Sequence, residues 1–124
     1  MTNNQTFLKR LRTAFLGLTA AFKEEQNFKI QLIIGVIVVF FMIVLGLSAI
    51  EKSILMLMIL VVLSLELTNS QIEKFLDLIE PNHHPKVRII KDFSAGAVLL
   101  SVIGSIIIGL LIFLPHVINL MEGI

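Results

Sequence analysis

Cysteine, tryptophan and tyrosine are absent from this chain of 124 residues, and proline occurs only three times. Without cysteine there is no disulfide and no thiolate metal site, and redox compartment leaves no mark. Charge is also sparse, at 15% of residues with a formal net charge of +1. The basic residues stand beside apolar segments, and neither Trp nor Tyr is available for base stacking, so nucleic acid is not an expected partner. What the chain has is apolar bulk. It is 56% hydrophobic with a mean hydropathy of +0.96, too apolar for an ordinary soluble domain of this length.

The pattern predicts an all-α membrane protein, residues 1–124 forming one domain. Residues 1–6 are expected to be disordered. Phe7, Leu11, Phe15, Leu18 and Phe22 then fall within about 80° of one another on a helix, while Lys9, Arg10, Arg12 and Lys23 point elsewhere. This reads as an amphipathic surface helix, about residues 7–28, lying on an anionic leaflet. Residues 1–29 show no apolar core segment and no small-residue cleavage site, so the first hydrophobic span is expected to stay as signal and anchor. That span, about 30–49, has the ~20 residues that one hydrocarbon thickness requires, with Gln31 its only strongly polar member. A second begins near residue 53 and continues as a cytosolic extension to about 79. The turn from Glu80 to Pro85 follows, since two prolines interrupt regular structure there. After a mixed charged stretch, a third span is expected over about 93–114, ending at Pro115. Ala97, Ser101, Ser105 and Gly109 form a small-residue stripe suited to close helix packing. Lysine and arginine concentrate before the first span and between the second and third, whereas the other side has only Lys52. The N-terminus and the charged loop are therefore expected in the cytosol, with the C-terminus external.

Glu66 is the outstanding residue. It follows the apolar run 53–65, and a carboxylate at mid-membrane costs roughly 2.5–3.5 kcal/mol on insertion scales, which favours a functional reading. Asn69, Glu73 and Asp77 follow at offsets of three, seven and eleven residues, all within about 80° of Glu66 on one helix face. Because the run before the cluster is shorter than the ~20 residues of a full span, Glu66 is expected below the surface, roughly 10 Å inside the cytosolic boundary at 1.5 Å rise per residue. One helix thus carries a polar stripe from apolar depth to water.

The potential catalytic groups gather on the cytosolic side: Glu24, Glu25, Glu66, Asn69, Glu73, Asp77, Lys91 and Asp92. Such a set suits phosphoryl transfer from a soluble nucleotide to a lipid alcohol. Magnesium takes a few carboxylates together with nucleotide phosphates, and Glu25 and Glu73 could supply them from two helices. Lys91 could neutralise phosphate charge. A carboxylate in the apolar zone, Glu66, could serve as base toward a buried hydroxyl. No GxxxxGK[ST] loop and no protein-kinase catalytic loop occurs. Lys91 and Asp92 could equally be an interfacial anchor and a helix cap. The adjacent His83 and His84 lie in a turn where their side chains diverge, so a metal pair is not expected there.

The stretch Glu66-Leu-Thr-Asn69-Ser-Gln-Ile-Glu73-Lys-Phe-Leu-Asp77, then His84-Pro85 and Lys91-Asp92-Phe-Ser-Ala-Gly96, resembles the prokaryotic diacylglycerol kinase family. Its signature is close to E-x-x-N-[ST]-x-I-E-x-x-x-D followed by a His and a Lys-Asp pair. Upstream, Glu24-Glu25-Gln-Asn27-Phe28 resembles the family's acidic segment, so the likeness runs over about residues 7–115. Thr68, Gln71, Asn82 and His83 depart from its commoner residues.

The resemblance implies an ATP-dependent lipid kinase of the bacterial inner or plasma membrane, with a surface helix, three transmembrane helices and a homotrimer with shared active sites. It implies Glu66 as catalytic base, Glu25 and Glu73 as ligands of Mg2+, and Asn69, Asp77, Lys91 and Asp92 around ATP. The lipid acceptor would be undecaprenol or diacylglycerol. The turn Pro81-x-x-His84-Pro85 and the segment Asp92-x-x-Ala95-Gly96-Ala97-Val98 resemble the undecaprenol branch more. Two readings compete from other classes: a small proton-coupled transporter using Glu66 as its carrier, and a small assembly subunit in which Glu66 has no chemical task.

Overall fold

A computed structural model describes residues 3–82 and 84–124, with side chains from residue 6 onward. Those residues form four helices and no strand: α1 (Asn3–Glu24), α2 (Gln26–Val44), α3 (Ala49–Ile79) and α4 (Pro85–Glu122). The all-α expectation holds, with shifted boundaries. Helix α1 starts at Asn3, so residues 3–6 are helical where disorder was expected; residues 1 and 2, like His83, lie outside the described set. Asn, Gln and Thr in that segment carry no helix breaker, which lets the helix extend toward the amino end. Helix α2 begins at Gln26 because α1 and α2 are separated by a single extended residue, Glu25 (φ −102°, ψ 104°). The largest difference is α4. Lys86–Asp92 forms its opening turns, not a separate charged stretch, and Pro115 sits inside the helix. Proline removes one backbone hydrogen bond, yet the apolar residues beyond it, Val117, Ile118 and Leu120, continue the helix.

Local chemistry accounts for the other ends. Gly46 adopts φ +63° and lets the chain reverse after α2, since only glycine enters that region without Cβ strain. Ser48 then starts α3 with a reciprocal capping box: Glu51 N–H donates to Ser48 Oγ at 3.2 Å, and Ser48 N–H donates to Glu51 Oε1 at 3.0 Å. Pro85 occupies the first turn of α4, where its missing N–H costs nothing. His84 Nδ1 accepts from Lys86 N–H at 3.1 Å.

Packing is concentrated between α3 and α4 and between α2 and α3. Met42, Leu47 and Leu55 make the buried cluster near the α2–α3 turn, supported by Val38, Ile59, Ile108 and Phe113. Gly35 brings α2 close to α3: a Cβ there would lie 3.0 Å from Ile59 Cγ2. Helices α2 and α4 are each long and apolar enough to cross a membrane, and only 17% and 6% of their most apolar windows are buried within the chain. A soluble protein would enclose such surfaces, so these helices are not the core of one.

At the end of the bundle nearest that turn, His116 Nε2 lies 3.0 and 3.1 Å from the two carboxylate oxygens of Glu51. Hydrogen bonding from the Ser48 backbone, then His116, holds the Glu51 carboxyl below the usual carboxylate range. A depressed folded-state value stabilises the fold above the ordinary carboxylate pKa, and that contribution fades as pH falls through the depressed one. Thermal unfolding in detergent should therefore show lower stability on acidification below about pH 4.5, with a shallower slope in Glu51→Gln. Gly46→Ala should cost about 1–2 kcal/mol through strain in the left-handed region, read as a lower midpoint in the same melts.

Candidate active site

Helix α3 outlasts its apolar run. The run ends at Leu65, and beyond it the helix continues through Glu66, Asn69, Glu73 and Asp77. A continuous helix keeps these side chains on one face, and three neighbouring elements meet that face. Helix α2 contributes Gln31, the elbow between α1 and α2 contributes Glu25, and the start of α4 contributes Lys91.

Glu66 is the deepest of these residues, only 4% exposed. Its Oε2 accepts from Gln31 Nε2 at 3.4 Å, and the Asn27 side chain, one turn earlier on α2, also reaches its carboxylate. The carboxylate charges that reach it are those of Glu73 and Glu25. The sequence-predicted base and both sequence-predicted metal carboxylates thus belong to one electrostatic neighbourhood.

Asn69 is buried at 8% exposure. Its Nδ2 donates to Glu73 Oε1 at 3.3 Å, while its Oδ1 is buried without a partner. Gln31 Oε1 is likewise buried and unpartnered. Native interiors pair such atoms almost always, so two unmatched acceptors beside three carboxylates mark a place built for donors. Toward water, Lys91 Nζ is paired with Asp77 Oδ1 across α3 and α4. Asp92 is exposed, and no polar contact joins it to the group.

Among the described residues, no three acidic or histidine side chains converge tightly enough to form a metal cage. Magnesium does not require one, since it takes one or two carboxylates and fills the rest with phosphates and water. Glu73, with the unmatched Oδ1 of its partner Asn69, and Glu25 from the elbow supply oxygen groups of that kind.

Three participants were not singled out by the sequence. Asn27 and Gln31 recur one helical turn apart on α2, a spacing that could have suggested a shared face toward the polar stripe. Lys74 offered only its place next to Glu73. Its Nζ lies 2.7 Å from Glu25 Oε1 and 3.5 Å from Glu24 Oε2, tying the α1–α2 elbow to α3 beyond the apolar run. Glu25 is the main cause that raises the Lys74 pKa above the usual lysine range. Beside this contact, α1 and α3 enclose an open groove of about 500 Å3, lined by Gly17, Ala21, Glu24, Ser70 and Lys74 among others.

A family model described as prokaryotic diacylglycerol kinase matches residues 12–113. The chain belongs to that family. It is accordingly a member of a lipid kinase family, and its two apolar helices are those of a membrane protein. Undecaprenol kinase of Bacillus subtilis is 40% identical over 109 residues, 88% of this chain and 89% of that protein. Diacylglycerol kinase of Synechocystis sp. is 37% identical over 115 residues, 92% of this chain. The match spans 66% of the Synechocystis protein, just under two thirds of its length. Diacylglycerol kinase of Pseudomonas aeruginosa is 32% identical over 97 residues, 75% of this chain.

The Gln31–Glu66 bond gives this family member a test of its geometry. Gln31→Leu removes the donor and leaves the carboxylate facing an apolar side chain. A hydrogen bond to a charged group is worth about 1.5–3 kcal/mol, so lipid phosphorylation should fall roughly ten- to hundredfold in kcat, with little change in KM for nucleotide, while Gln31→His, which restores a donor, recovers part of the loss.

Proposed function

We propose that the protein is an ATP-dependent kinase of a membrane lipid alcohol, working at the cytosolic face. The observation that carries this is Glu66: a buried carboxylate in an apolar run, held by α2, at the inner end of a polar stripe that reaches water at Lys91 and Asp77. A lipid hydroxyl can approach one end of that stripe from the leaflet, and a soluble phosphate donor can approach the other.

In this reading α3 is the third membrane span beside α2 and α4, its charged part projecting into the cytosol. Glu66 accepts or orients the hydroxyl proton of the acceptor as its oxygen attacks the γ-phosphorus of ATP and the bond to the β-phosphate breaks, releasing ADP. Glu25 and Glu73 would hold Mg2+, which when bound offsets charge on the phosphates. Lys91, released from Asp77, turns toward the phosphates, and Asn69, Asp77 and Asp92 complete the nucleotide side. The chain around Glu66 excludes water from the reacting oxygen, which favours transfer to lipid over hydrolysis. The N-terminus and the α3–α4 turn are cytosolic, and the C-terminus is external. The assembly is a homotrimer with sites shared between neighbours, as the family resemblance implies.

Undecaprenol is the favoured acceptor. The relative named undecaprenol kinase matches over most of both chains, and the residues after Asp92 resemble that branch. Diacylglycerol is the second reading, favoured by the name of the Synechocystis relative.

Transfer of radiolabelled phosphate from ATP in mixed micelles tests both. Label should appear on undecaprenol in the presence of Mg2+ and fall about 10²–10⁴-fold in Glu66→Gln, the range expected for loss of a general base. Label on diacylglycerol alone would select the second acceptor. Folded protein that labels neither lipid would refute the kinase reading.

A further inference from the structure

Lys74 occupies an unexpected place. The Glu25 carboxylate, which the proposed function gives to a metal ion, is already engaged: its Oε1 lies 2.7 Å from Lys74 Nζ, and Glu24 adds a second carboxylate at 3.5 Å. A carboxylate oxygen in contact with an ammonium is a poor ligand for a divalent cation, because the two positive charges compete for the same site. Lys74 is anchored by nothing else. It is substantially exposed, with 61% of its side chain accessible, and its flexible stem leaves the ammonium free to swing. It also lines the open groove between α1 and α3, so a phosphate entering from water lies within its reach.

We infer that Lys74 is a cationic placeholder: it neutralises Glu25 while the site is empty and moves onto the phosphates when nucleotide arrives, which frees Glu25 for the metal. This deepens the proposed function and rests on its assignment of Glu25. Metal and nucleotide would then enter together. The resting site would bind a free divalent ion weakly, and three neighbouring carboxylates, Glu25, Glu66 and Glu73, would not stand without a counter-charge. A lysine that only fastened the elbow to α3 would have no opposing effect on the two ligands.

That opposition is the test. The full chain in lipid nanodiscs is titrated with Mn2+, bound ion being read by electron paramagnetic resonance, in the absence of nucleotide. Binding of a non-hydrolysable ATP analogue is measured separately by equilibrium dialysis with metal chelated. Lys74→Met should bind Mn2+ about tenfold more tightly than the wild type and the metal-free analogue several-fold more weakly, the scale expected when one charge is removed beside a divalent site. Lys74→Arg, which keeps the charge, should bind Mn2+ within about twofold of wild type. Glu25→Gln should abolish the gain when combined with Lys74→Met. Unchanged Mn2+ affinity in Lys74→Met, with binding still dependent on Glu25, would overturn the placeholder and leave the metal assignment standing. Mn2+ binding indifferent to Glu25→Gln would overturn both. Parallel weakening of Mn2+ and nucleotide would show a fastener only.

Discussion

The site depends on one constraint: an ionisable carboxylate at apolar depth must be held by something. Helix α3 cannot place Glu66 in lipid-like surroundings without a partner, because an unpaired carboxylate there is costly. Gln31 supplies a donor from α2, and Asn27 joins it from one turn earlier. That requirement sets the register of α2 against α3, and the register in turn brings the Glu25 elbow to the polar end of α3. Gly35 permits the approach by leaving room for Ile59. A packed apolar cluster near the α2–α3 turn and a polar cluster beyond the apolar run are thus two ends of one helix pairing.

Charge balance organises the wet end. Glu25, Glu66 and Glu73 lie near one another, and each lysine at the site is already committed to a carboxylate, Lys74 to Glu25 and Lys91 to Asp77. These pairs are at least half exposed on one side, so each adds little to stability. In the proposed function their value lies in being exchangeable: a phosphate would compete for the same ammonium groups with more charge and more acceptor oxygens, and the site would change partners without opening its core. The buried, unpartnered oxygens of Gln31 and Asn69 follow the same logic: they are acceptors left for an incoming donor.

Much of this was legible beforehand because it depends on helical periodicity. The apolar runs announced the helices, and the offsets from Glu66 to Asp77 placed four polar residues on one face. The family signature then added Glu25, whose acidic neighbourhood alone does not distinguish a site from a solvated helix end. The ends of the helices were less legible. Pro115 reads as a stop, yet helix α4 runs through it, since one lost hydrogen bond is outweighed by the apolar residues that follow. The charged stretch from Lys86 to Asp92 reads as a loop, but Pro85 and the His84 cap begin a helix there. Asp92, expected with Lys91, faces away because adjacent residues on a helix diverge by about 100°.

Composition and periodicity by themselves determined that the chain is helical, that it carries membrane-length apolar segments, and that one helix bears a polar stripe around Glu66. These are local properties, set by neighbours a few residues apart. Only the tertiary structure decided which side chains answer that stripe. Gln31 meets Glu66 across 35 positions of sequence, Lys74 meets the elbow at Glu25, and His116 meets Glu51. Such pairings depend on the rotation and register of one helix against another, and those follow from packing over the whole bundle.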